Sequence, residues 1–174
     1  TGVLGTHLTS EYVEHTRVLA EAEGDRRTRL INTLLSGYDE SDRVAARLLR
    51  RAGYLEQRQS YCIAVARSVD PREMDNPARA QRMADALADV LSGSPLRHLI
   101  GVRDNHVVAI VSGTRRLSGW TAPQTLVADR VNPLLRQVGP AALIGLSNDV
   151  PSTSHIPRAA SEARLALDFA DVAN

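Results

Sequence analysis

Leu96-Arg-His-Leu-Ile-Gly-Val-Arg-Asp-Asn-His-Val-Val-Ala-Ile-Val-Ser112 is the stretch on which the fold turns. Apolar residues occupy both flanks, and the polar Arg103-Asp104-Asn105 divides them. Asp and Asn tolerate the backbone angles of a tight turn, so the spacing predicts a β-hairpin of Leu96–Val102 and Val107–Ser112. Upstream, Ser92-Gly93-Ser94-Pro95 breaks an amphipathic helix running from Asp75 to Leu91, with Met83, Ala84, Leu87, Val90 and Leu91 on one face. Before that helix, Ser60 to Arg67 is apolar at most positions and reads as a strand buried on both faces. Downstream, Thr121 to Val138 reads as a helix perturbed at Pro133. Gly139-Pro140 then leads into a strand, Ala141 to Leu146, and a polar loop, Ser147 to Ser154, precedes a last helix from Pro157 to Val172. The order β-α-β-β-α-β-α predicts an α+β domain with a ferredoxin-like βαββαβ core, an antiparallel sheet carrying two helices on one face.

Two helices precede that core. From His7 to Ser36 apolar residues recur at spacings of three and four, first Leu8, Tyr12, His15, Leu19 and Ala22, then Leu30, Ile31, Leu34 and Leu35. Gly24 interrupts the run as a kink or a break. Gly37 closes this helix, and Glu40-Ser41-Asp42 opens a second, reaching Ala52, with Val44, Ala45, Leu48 and Leu49 on its apolar side and Gly53 as its stop. The expected division is a helical arm, residues 1–36, and a domain, residues 37–174. So long and charged a helix suits a dimerisation arm with Leu8, Tyr12, His15 and Leu19 at its seam. Its second half also suits packing on the core, and the two readings are compatible.

Composition narrows the function. The 174 residues fit one domain plus an arm, and a formal net charge of +1 argues against a dominant attraction to nucleic acid. All 21 basic residues are Arg. Aromatic residues make up only 3%, so Leu, Val, Ile and Ala fill the core. The one cysteine, Cys62, excludes an internal disulfide and a Cys-based zinc site, and inside its strand it reads as a small hydrophobe. A reducing cytoplasm suits it. Neither a signal peptide nor an apolar run of about 18 residues is visible, so no membrane partner is expected.

The hairpin carries a resemblance. Its order of elements is similar to that of nucleotidyl cyclase and GGDEF domains, and aligning the strands sets Arg103-Asp104-Asn105-His106-Val107 where the GGDEF signature would sit. The cyclase chemistry needs glycines for close backbone approach and carboxylates to hold Mg²⁺ against a triphosphate. Both glycines are gone, Asn105 and His106 replace the acidic pair, and Asp70, followed by Pro71, comes too late in its strand to serve. A closer likeness spans most of the chain. Arg29-Leu-Ile-Asn-Thr-Leu-Leu-Ser-Gly37, Ala45 to Gly53, the hairpin, and Ile156-Pro-Arg-Ala-Ala-Ser-Glu-Ala-Arg-Leu-Ala-Leu167 resemble the GGDEF-like central domain of PucR/CdaR bacterial transcriptional regulators. That resemblance implies a non-catalytic regulatory module that passes effector binding or self-association to a C-terminal helix-turn-helix domain. The sequence stops at Asn174, before any such domain, so DNA is expected as a partner of the parent protein only.

Other chemistry is sparse. There is no Walker loop, dinucleotide fingerprint, nucleophile elbow or His-Glu-x-x-His. The five histidines stand at no metal-ligand spacing. The expectation is therefore no catalytic residue, no metal and no cofactor. Asp104, His106 and Arg103 at the hairpin tip are the candidates for contact with a small effector, against a solvated turn as the plainer reading. The rival function is a nucleotide-binding or cyclase-like enzyme with Asp70, Asp104 and His106 standing in for the usual acids. The pairs Arg26-Arg27, Arg50-Arg51 and Arg115-Arg116 suit phosphates or, more simply, a solvated face. Trp120 suits an interface or a cover over the sheet edge.

Overall fold

A computed structural model of the protein describes residues 24–38, 41–55, 59–114, 123–138 and 142–173. Residues 24–35 are helical (α1) and are followed by α2 (Arg43–Arg51), β1 (Gln59–Ser68), α3 (Pro77–Ser92), β2 (Arg97–Arg103) and β3 (His106–Thr114). After these come α4 (Pro123–Val138), β4 (Ala142–Leu146) and α5 (Ile156–Ala173). The described strands form one four-stranded sheet in the order β2-β3-β1-β4, antiparallel at every step. The chain is thus an α+β protein.

β1 lies inside the sheet, and its two faces feed two cores. Tyr61, Ile63 and Val65 join Val108 and Ile110 of β3 beneath α1 (Leu30, Ile31, Leu34), α2 (Leu49) and α5 (Ile156, Ala159, Ala163, Leu167). Ala64 and Ala66 join Val107, Ala109 and Val111 beneath α3 (Ala84, Leu87, Leu91) and α4 (Val127, Val131). Helices therefore cover both faces. The strand's unbroken apolar run follows from this, because alternate residues point into different cores and neither set can be polar.

Local chemistry fixes the helix ends. The Asp42 carboxylate accepts from the backbone N–H groups of Val44 and Ala45, both at 3.1 Å, and so caps α2. At the other end Gly53 takes φ +86°, while its N–H donates to Arg50 O and the Tyr54 N–H to Leu49 O. That paired reversal is a Schellman end, and it delivers Tyr54 into the core. Asn76 caps α3 by accepting from Ala78 N–H at 3.0 Å, with Pro77 at the first helical position.

Two expectations are corrected. Of the expected apolar side of α2, Leu49 is buried, but Val44 and Leu48 do not face the core: they are 71% and 39% exposed, and Ala46 is buried in their place. The Schellman end and the buried Tyr54 fix the rotation of the helix about Leu49. Residues Pro71–Asp75 form a separate 3-10 turn, and α3 begins only at Pro77. The backbone of α4 stays helical through Pro133. Gly24 is itself helical. The proposed seam, Leu8, Tyr12, His15 and Leu19, lies outside the described residues, as do Arg115, Arg116 and Trp120. No helix among the described residues is long and apolar enough to cross a membrane.

Candidate functional site

The hairpin turn is two residues long, and both take positive φ: Asp104 at 51° and Asn105 at 60°. A two-residue turn of that hand matches the twist of the flanking strands, and Asp and Asn are the non-glycine residues that enter it most readily. The register closes at Arg103 opposite His106. Asn105 Nδ2 donates to the Asp75 carboxylate at 3.0 Å, tying the tip to the 3-10 turn ahead of α3. His106 Nδ1 lies 2.7 Å from the Asp104 carbonyl oxygen. A carbonyl only accepts, so this nitrogen carries the proton.

Arg103, Asp104 and His106 line one cleft of ≈390 Å³ between the hairpin and α5. Val65 and Val108 lie beneath, Leu35 of α1 closes one side, and Pro157, Ala160, Ser161 and Arg164 of α5 form the opposite wall. The structure thus brings together the three residues singled out at the hairpin. It adds Arg164 and Ser161, which stand in the Ser-Glu-Ala-Arg run of the last helix. Nothing in the sequence says that α5 lies across the hairpin end of the sheet, where Ala163 and Leu167 turn inward. Arg103 Nε is 3.9 Å from Asp104 Oδ2. The Arg164 side chain makes no hydrogen bond or ion pair with any described residue.

Asp70 does not join the cleft. It caps the 3-10 turn by accepting from Arg72 N–H at 3.0 Å, and it pairs with the Arg72 guanidinium at 3.2 Å. The hydrogen bonds from Arg72 hold this carboxyl below its ordinary range. On the sheet face beside Val65, Arg67 reaches Asp171 of α5 at 2.7 Å. On the opposite face Ser68 donates to Glu73 at 2.6 Å. A Mg²⁺-triphosphate does not fit this donor set: Asp70 is committed to Arg72, Asn105 and His106 hold the acidic positions, and no glycine opens the turn. Among the described residues no three His, Cys, Asp or Glu gather as a metal site.

The remaining polar groups hold structure. Burial pushes the Cys62 thiol up to about 12, so it stays protonated and inert. Ser147 Oγ accepts from Ile63 N–H at 2.9 Å, Glu162 accepts from Asn148 N–H at 2.9 Å, and Asp149 accepts from Gln124 N–H at 2.9 Å at the start of α4. A family model described as GGDEF-like domain matches residues 18–169. Comparison with curated proteins gives no match.

Proposed function

Because the chain belongs to the GGDEF-like domain family, we propose that it is a non-catalytic regulatory and dimerisation module of a PucR/CdaR-type bacterial transcriptional regulator. The observation that carries this reading is the hairpin tip. Where the family's active signature would hold two glycines and two acids, this chain has a closed turn whose polar groups are spent on structure: Asn105 on Asp75, and His106 on the Asp104 carbonyl. Asp70, the remaining carboxylate candidate, is spent on Arg72. The strand order supports the split βαβ, ferredoxin-like arrangement.

In this reading the module works mechanically in the cytoplasm. Effector binding at the cleft, or pairing with a second copy through the arm, changes how α1 sits on the sheet. A helix-turn-helix domain of the parent protein reads that change on DNA. Leu30, Ile31 and Leu34 make α1 part of the core, which gives such a movement something to act on.

The test is direct. Incubated with GTP or ATP and Mg²⁺, the purified protein is expected to release no product, and its melting temperature is expected not to rise with nucleotide. Turnover of either nucleotide overturns the reading. It would favour the rival, an altered nucleotide site, which draws its support from the basic lining of the cleft by Arg103, His106 and Arg164.

A further inference from the structure

We propose that the cleft between the hairpin and α5 binds a small organic monoanion, a carboxylate on an apolar body, with Arg164 as its anchor. This rests on the regulatory reading above and names the class of effector that reading requires.

The argument begins with the charges. Two acidic side chains of α5 are engaged elsewhere, Asp171 with Arg67 at 2.7 Å and Glu162 with the Asn148 N–H. Asp104, which lines the same cleft, stands beside Arg103. Asp168, one turn along α5, forms no ion pair with Arg164. The guanidinium therefore offers its planar fork, the geometry that takes a carboxylate through two parallel hydrogen bonds. Arg103 is the second cation of the cleft, but Asp104 stands beside it. One uncommitted guanidinium calls for one anionic head. A triphosphate would also need a backbone cradle that this turn lacks.

The walls supply the rest. Val65 and Val108 are buried beneath the cleft, and Leu35 and Ala160 add apolar surface at its sides. An aliphatic or aromatic body resting there leaves water, while its head reaches the fork. The volume of ≈390 Å³ lies within the range of small-molecule sites. The walls also belong to three elements, α1, the hairpin and α5, so one occupant would clamp the arm helix to the last helix.

The experiment is isothermal titration of the full chain with hexanoate and benzoate, with hexanamide as the uncharged control. Saturable binding of at least one acid is expected, with Kd at or below about 1 mM. Arg164→Gln is expected to weaken it at least about tenfold, and hexanamide is expected not to bind. Arg158→Gln removes an exposed charge from the same helix outside the cleft, and it should bind like wild type. Circular dichroism of both variants shows that they fold. Failure of both acids to bind overturns the proposal, as does equal weakening by the two variants, which would mean diffuse charge attraction. Such failure without nucleotide turnover leaves the regulatory reading standing, whereas turnover removes that reading whatever the acids do.

Discussion

At Gly145 the main chain of α5 occupies the space a side chain would need. A Cβ there would run into the Ala163 carbonyl oxygen and stand 2.5 Å from the Leu167 amide nitrogen. Main-chain atoms cannot rotate aside, so Gly145→Ala is expected to cost about 3 kcal/mol, read as a lowered urea midpoint. Gly101 is the gentler case, because its Cβ would meet only the flexible tip of Ile31 at 2.7 Å. His98 carries the pH response. Its Nδ1 is buried without a partner among the described residues, and burial, with Arg27 as the lesser cause, lowers its proton affinity. The folded state then binds fewer protons than the unfolded chain. Stability from this group is complete above the unfolded value of about 6.5 and falls as pH drops below it. Denaturant melts across that window should show the loss, and His98→Leu should flatten it. Asp149 works oppositely and lower. Burial raises its carboxyl, so its contribution grows as pH falls toward the ordinary range of about 4.

At the level of elements, the hairpin turn separates two effects. Asn105→Gly keeps the positive φ and loses only the bond to Asp75, so it is expected to cost about 1 kcal/mol or less. Asn105→Val must also enter the left-handed region with a branched side chain, and about 2 kcal/mol is expected from chemical denaturation. A larger loss in the glycine variant would show that the tether to Asp75, not the turn, holds the tip. This turn was legible because its chemistry is local: Asp104 and Asn105 are the residues that accept its angles. The ends of α2 were legible for the same reason, through Asp42 and Gly53. Its buried face was legible only in part. Periodicity offered Val44, Ala45, Leu48 and Leu49, of which Leu49 is buried, and the docking of Leu49 and Tyr54 decides the rotation. Likewise Arg103, Asp104 and His106 could be read from the hairpin, while Arg164 could not, because its place depends on where α5 crosses the sheet.

For the molecule as a whole, the order of elements was readable because each strand and helix has its own period and its own punctuation. The covering of both sheet faces was half-readable, from the unbroken apolar run of β1. The dimer belongs to this scale. Light scattering across a concentration series is expected to show a dimer, and Tyr12→Glu combined with Leu19→Glu is expected to give a monomer. A wild-type chain that stays monomeric at every concentration overturns the arm. The strand order bears on synthesis as well. β1 pairs Ile63 with Ile110 on one side and Ala64 with Leu146 on the other. On a translating ribosome, a ten-residue strand greasy on both faces therefore emerges long before either neighbour exists. Throughout that interval it is a handhold for chaperones, and a nascent chain stalled before β4 is expected to aggregate rather than wait.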